Sequence, residues 1–419
     1  MSDIKTAFLH YSAPPVVGGV EGVMLAHAQT FLEAGYPVSM IAGRGDKQAL
    51  PSGCDLILVP ELDSQHASIL QVAQELERGN VPADFDPLVE RLVEALGPIL
   101  QSFNNLIVHN LFTKHFNLAA TAALYRLLEA GDLPNCIAWC HDFTWTSSHS
   151  RPKVHSGYPW DLLRTYRSDM TYVVVSAARQ AELAGLYDCP TEDIRVVYNG
   201  VDPQVLFGFS PQGGELIERL NLLGSDLILL MPVRVTQAKN IEFALQVVAA
   251  LKDAGQNPKL ILTGPPDPHE EASMDYYHSL QDLRRQLGVE SEMRFIYESG
   301  LQPDEPLFID LPVVGDLFRA SDLMFMPSHR EGFGMPVLEA GLLGIPVVTT
   351  AVPAAVEIGG QQVISFARSE NAPQVAAKIV DWAESSPVHQ LRRRVRQRYT
   401  WKQIFASDIE PLLVGEAGK

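Results

Sequence analysis

Two carboxylates, Glu331 and Glu339, flank a glycine-containing turn in PSHREGFGMPVLEAGLLGIPVVTT, residues 327–350. Gly332 and Gly334 follow an apolar run, and Pro336 suits a first helical position because the N–H it lacks would be unpaired there. A short helix is expected to begin near residue 335. The first turn of such a helix leaves backbone N–H groups without internal partners and carries the positive end of the helix dipole, so it suits a phosphate. Ionised carboxylates would repel a phosphate they touched, yet they accept well from sugar hydroxyls on either side of one. The pattern asks for a ligand with hydroxyls at both ends and phosphate in the middle.

Other residues of chemical interest lie nearer the amino terminus. SAPPVVGGVEGV (12–23) follows an apolar run and precedes a helical pattern, which invites a dinucleotide reading. Gly18, Gly19 and Gly22 do not make G-x-G-x-x-G, however, and the second strand candidate ends in Gly43-Arg44 instead of a ribose-binding acid. His141 and Asp142 end the apolar run NCIAWC, a position from which a side chain projects into a cleft; His109 and Asn110 end the run before it as weaker candidates. Cys136 and Cys140 precede this pair, but residues 136, 138 and 140 share one face of a short strand, so buried thiols are expected and a metal site is not. The stretch 143–166 is long and aperiodic and holds Trp145, Tyr158 and Trp160 interleaved with His149, Arg151, Lys153 and His155. It reads either as a ligand-holding loop or as a lid packed by its own aromatics.

These residues need a scaffold, and the chain offers two. A length of 419 residues gives two or three domains at about 150 residues each, and 46% hydrophobic with 20% charged residues excludes a disordered chain. Short apolar runs alternate with helical patterns, which predicts an α/β fold with parallel sheets. Strands are expected at 6–11, 37–43, 55–60, 105–110, 136–142, 171–176 and 194–199, then at 226–235, 259–265, 293–299, 322–328 and 345–350. The expected division is an amino-terminal domain over 1–202, a linker over 203–225 where Pro and Gly cluster, and a second domain over 226–399. A net charge of −18 disfavours nucleic acid. LRRRVRQRY (391–399), by its helical spacing and its position before WKQIFASDIEPLL, is read as a solvated helical face. No apolar run approaches the roughly 18 residues that span a bilayer, and MSDIKTAFLH does not resemble a signal peptide, so a cytoplasmic location and no transmembrane segment are expected.

The E-x7-E block EGFGMPVLE resembles the signature of retaining glycosyltransferases of family 4, which have the GT-B fold of two Rossmann-like domains facing across a cleft. The resemblance extends to Gly18-Gly19, His141-Asp142, VVVSAARQAEL (173–183), VVYNGVD (196–202), PVRVTQAKN (232–240), LILTGP (260–265) and LFRASDLMFMPS (317–328). It implies that Glu331 meets donor-sugar hydroxyls, Glu339 meets the ribose, and Phe333, Gly334 and Met335 offer backbone N–H groups. It further implies that Arg234 and Lys239 hold the diphosphate, that Gly18 and Gly19 approach the donor phosphate, and that His141 contacts the transferred sugar. Fixed cations aimed at a leaving diphosphate can each contribute about 3 to 4 kcal/mol, as oxyanion donors do, and such a pair could replace a metal. The implied donor is a GDP- or UDP-hexose, with no resident cofactor. The acceptor is a small, anionic or lipid-linked molecule for which Arg151, Lys153, Trp145 and Tyr158 are the candidates. A segment at about 400–414 is expected to cross back to the first domain. A GT-B-related phosphorylase or epimerase and a catalytically silent nucleotide-sugar-binding protein are the alternatives.

Overall fold

In the computed structural model, which describes residues 3–267, 272–302 and 305–414, the chain divides into two compact units, one of residues 1–200 with 401–419 and one of residues 201–400. Among the described residues the first unit builds a seven-stranded sheet from β1 (Thr6–His10), β2 (Val38–Ala42), β3 (Asp55–Leu58), β4 (Asn105–His109), β5 (Asn135–Cys140), β6 (Thr171–Val174) and β7 (Ile194–Val196). Every pairing is parallel and the order is β3-β2-β1-β4-β5-β6-β7. Both faces are covered, which is why the strands read as continuous apolar runs. Ala7 and Leu9 belong to the core on one face, with Leu92 and Leu124; Phe8 belongs to the other, with Met24 and Phe31.

Among the described residues the second unit repeats this order on a six-stranded sheet. Its strands are β8 (Leu227–Met231), β9 (Pro258–Leu262), β10 (Met293–Phe295), β11 (Leu323–Met326), β12 (Val347–Thr350) and β13 (Ile364–Phe366), arranged β10-β9-β8-β11-β12-β13. Counted within the unit, this is the Rossmann order 3-2-1-4-5-6. In each unit the order reverses beside the first strand, so the loops leaving β1 and β4, and those leaving β8 and β11, are neighbours at a topological switch point, the ligand-binding end of such sheets.

Three expectations need correction. The segment 203–225 is not a bare linker, since it contains the helices Pro203–Phe207 and Pro211–Arg219, capped by the Asp202 and Ser210 side chains. Leu216, Ile217 and Leu222 are buried in the second unit, and Gly213 is required because a Cβ there would lie 1.9 Å from Asp316 Oδ2. The basic run 391–399 is not a solvated face, because Arg396 is buried against Asp322 at 2.7 Å and Arg393 pairs with Asp226 at 2.6 Å. β13 is a further strand, whose apolar run is interrupted by Ser365.

The terminal segment 401–414 packs on the first unit. Phe405 meets the Phe31 ring edge-on at 5.0 Å, Tyr36 donates to Glu410 at 2.7 Å, and Asn105 and Asn135 donate to the Leu413 and Leu412 carbonyls.

Candidate functional site

The loop after β8 carries Arg234 and a 3-10 turn at Gln237–Lys239, and the loop after β11 carries Glu331. Two hydrogen bonds join the loops: His329 N–H donates to the Ala238 carbonyl at 2.9 Å, and Asn240 Nδ2 to the Pro327 carbonyl at 3.1 Å. Lys239 Nζ thereby reaches both Glu331 oxygens, at 2.8 and 2.9 Å. The Glu331 side chain is only 6% exposed and that of Lys239 is 22% exposed, so the pair is largely desolvated. Arg234 is more open and touches Asp267 at 3.2 Å.

Beside this pair begins the helix Met335–Leu342. Met335 is its first residue and Pro336 its second, one place later than expected; the Pro still costs no hydrogen bond there, because the first four N–H groups have no internal partner. Gly334 is the cap, at φ +87°, a left-handed conformation that suits glycine, and no side chain caps the turn. Phe333 and Met335 are exposed and Gly334 between them is buried. Glu339 is exposed one turn along. Cation, carboxylate and uncapped helix end therefore meet at one switch point.

The corresponding place in the first unit holds histidines. His141 Nε2 lies 3.1 Å from His109 Nδ1 and the rings stack at 5.4 Å; His10 Nδ1 lies 2.9 Å from the His109 carbonyl. The Asn110 side chain accepts from the backbone N–H groups of His141 and Asp142, at 2.8 and 3.3 Å, and Asn110 takes φ +65°. His141 is thus more enclosed than a side chain standing free in a cleft. Burial, with a smaller contribution from His10, pushes its pKa down to about 4. Burial likewise takes His27 down to about 3 and His109 well below the ordinary value, each aided by the neighbouring rings. Asp142 is drawn away to Arg179 at 2.8 Å.

Gly18 precedes the helix Gly19–Glu33 at φ −160°, an ordinary extended conformation, and its lack of a Cβ makes room for Glu21, whose Oε2 would lie 2.2 Å from one. Glu21 accepts from Ser12 Oγ at 2.6 Å and faces His10 Nε2 at 3.8 Å. A Cβ on Gly19 would meet nothing within 4 Å.

The candidate ligand-holding groups of the stretch 143–166 are engaged, Trp145 and Arg151 within the stretch and Lys153 and Tyr158 with Glu77 and Phe85 outside it. Trp145 is buried, donates to the Trp160 carbonyl at 3.2 Å and is covered by the guanidinium groups of Arg151 and Arg164, 4.4 and 4.1 Å from its ring centroid. Arg151 also donates to the Val154 carbonyl, Lys153 pairs with Glu77 at 3.0 Å, and Tyr158 packs edge-on to Phe85. These are the contacts of a lid packed by its own aromatics. Sequence reasoning missed Glu21, His10, His27 and Lys114; only Glu21, next to the glycine pair, carried a local signal.

Residues 17–205 match the family described as Glycosyltransferase Family 4, and residues 214–400 match that described as Glycosyl transferases group 1, together about nine-tenths of the chain. The chain is 26% identical to an uncharacterized glycosyltransferase of Methanocaldococcus jannaschii, over 59% of this chain and 61% of that protein. It is 27% identical to mannosylglucosylglycerate synthase of Petrotoga mobilis, over 59% of each. It is 28% identical to D-inositol 3-phosphate glycosyltransferase of Saccharomonospora viridis, over 55% of this chain and 52% of that protein. The match thus spans 52–61% of the length of these relatives. Among solved structures, a glycosyltransferase from Rickettsia africae is 15% identical with a TM-score of 0.37, covering 99% of this chain and 100% of that one. Anabaena HepE in complex with UDP and glucose is 17% identical with a TM-score of 0.35, covering 98% and 99%. Among the described residues no helix is long and apolar enough to cross a membrane. The two family matches fall on a chain whose sheets each follow the Rossmann order, and it belongs to family 4 of the glycosyltransferases, with the paired Rossmann-like units of the GT-B type.

Proposed function

We propose that the chain transfers a hexose from a nucleoside-diphosphate sugar, GDP- or UDP-linked, to a hydroxyl of a small acceptor, with retention of anomeric configuration. The observation that carries this reading is the Lys239–Glu331 pair beside the uncapped Gly334–Met335 helix start. Breaking the sugar–phosphate bond places negative charge on the departing diphosphate. Lys239 and Arg234 supply fixed positive charge there, and the backbone around Phe333, Gly334 and Met335 supplies N–H donors without reorganisation. Glu331 accepts from the sugar hydroxyls, Glu339 from the ribose, and His141 contacts the transferred sugar. Neutral His141 can accept or donate one hydrogen bond without adding charge near the anomeric carbon. Of the pair assigned to the donor phosphate, Gly19 has open space where a Cβ would stand, while Glu21 fills that space at Gly18. The cation pair does the work a divalent metal would otherwise do, so activity should survive a strong chelator.

The names of two relatives support an anionic acceptor. Mannosylglucosylglycerate contains a carboxylate and D-inositol 3-phosphate contains a phosphate. The test is to incubate the protein with UDP- and GDP-hexoses and with glycerate or inositol phosphate, and to follow the first product by proton NMR. A glycoside with the donor's anomeric configuration is expected. An inverted product would reject retention, and free sugar phosphate formed only with added inorganic phosphate would point to a phosphorylase.

A further inference from the structure

Lys114 lies in the loop that leaves β4, five residues beyond His109, and is nine-tenths buried. Its backbone is fixed from two sides, since its N–H donates to the Asn110 carbonyl at 2.9 Å and its carbonyl accepts from Tyr11 Oη at 3.3 Å. The same Asn110 binds the His141 and Asp142 backbone through its side chain, and Thr144 N–H donates to the Thr113 carbonyl at 2.9 Å. Lys114 is therefore built into the wall around His141.

Its ammonium group is anomalous. Among the described residues no carboxylate lies within 4 Å of Nζ and no acceptor is in hydrogen-bond contact with it; its one directed contact is the Phe116 ring, 5.1 Å from Nζ to the centroid. Burial holds its pKa below the usual lysine range; Asp142 opposes that shift and Arg179 adds to it. Asp142 and Glu182 are both committed to Arg179, at 2.8 and 2.7 Å. The stem of Lys114 is buried while Nζ itself keeps contact with solvent, so the wall fixes the side chain and leaves its donors open beside a single half-exposed aromatic face. A structural lysine would have a carboxylate.

We propose that Lys114 Nζ binds the anionic group, phosphate or carboxylate, of a small water-soluble acceptor, in the place first expected for Arg151 and Lys153. This rests on the transferase reading above. Nζ offers three donors, enough to bridge two oxygens of either group, and the anion would supply the missing counter-charge.

The experiment is isothermal titration of the full chain with inorganic phosphate, D-glycerate, UDP and GDP, for wild type, Lys114→Met, Lys114→Arg and the double variant Arg151→Ala with Lys153→Ala. Wild type and the double variant should bind phosphate or glycerate alike. Lys114→Met, which keeps the length of the side chain without its charge, should bind that anion about tenfold or more weakly, and Lys114→Arg should recover part of the loss. Nucleoside-diphosphate affinity should be unchanged in all of them, which also reports that each variant is folded. Anion binding by Lys114→Met equal to wild type would overturn the proposal. So would wild type failing to bind either anion, or Lys114→Met losing UDP or GDP in the same proportion as the anion. Anion binding through Lys114 without affinity for any nucleoside diphosphate would defeat the transferase reading and leave this site standing.

Discussion

The two units share one sheet order and bury their titratable groups in opposite ways. At the switch point of the first, His10, His109 and His141 are enclosed and held neutral by burial. At that of the second, Lys239 and Glu331 are enclosed as a contacting pair of opposite charges. The second unit repeats the device at Asp322, whose carboxyl burial pushes up but His389 and Arg396 hold below its ordinary value. A charge removed from water must be neutralised or paired, and the loops decide which, since the topology is common to both. On the function proposed above, the neutral solution serves a wall that contacts an uncharged sugar and the charged one serves a diphosphate. Lys114 is the exception in the first unit, its stem buried and, among the described residues, no carboxylate within 4 Å of its ammonium group.

The contrast can be broken most severely at Asp322. Asp322→Ala leaves Arg396 buried without its two bonds at 2.7 and 3.0 Å, which should cost about 3–5 kcal/mol, read as a fall in the midpoint of denaturant unfolding. A change below about 0.5 kcal/mol would show that the pair is not a determinant of stability.

Next in size is catalysis. Arg234→Ala and Lys239→Ala should each lower turnover by about a hundredfold or more. Glu331→Ala should lower turnover strongly while leaving nucleoside-diphosphate binding nearly intact, and Glu339→Ala should weaken the nucleotide itself. Steady-state rates paired with calorimetric titrations separate these outcomes.

Acid sharpens the comparison. His141 falls from 6.5 in the unfolded chain to about 4 when folded, so between these values the unfolded chain binds the proton and the folded one does not. The stability it contributes is complete above about pH 6.5 and is lost as the pH falls toward 4, on the order of 3 kcal/mol for this ring alone. His27 and His109 act in the same direction. Circular dichroism melts from pH 7 to 4 should show the steepest loss in that window, and His27→Phe should reduce the slope.

The smallest expected effect is at the lid. Arg151→Ala with Lys153→Ala removes a ring-stacking guanidinium and a half-exposed ion pair with Glu77, and should leave the Michaelis constant of the acceptor within about twofold. A large rise would return these residues to the acceptor site.

The fold was legible because both sheets are covered on both faces, so each central strand is an uninterrupted apolar run such as DLILLM or NLIVH. Ile364–Phe366 was not, because Ser365 interrupts its apolar run, whereas the equally short β7 and β10 begin the longer runs IRVVY and MRFIY. PQGGELIER looked like a linker because Gly213 and Gly214 mask a helix whose start is signalled by Ser210 and Pro211; the reason for Gly213, its approach to Asp316, lies 103 residues away. Glu331, Gly334 and Glu339 were readable from local spacing. The closure of Glu331 onto Lys239 was not, because it depends on β8 lying beside β11. The same limit hid Lys114, whose interest is that no carboxylate pairs with it among the described residues, a property that only three-dimensional neighbours define.

The central claim is that the charged switch point of the second unit holds a nucleoside diphosphate. Calorimetric titration of UDP and GDP into wild type and Lys239→Ala tests it most directly. One of the two nucleotides should bind wild type, and Lys239→Ala should bind it about tenfold or more weakly because a charge-assisted contact to the diphosphate is lost. Equal affinity in the two proteins, or no binding of either nucleotide to wild type, would contradict the account.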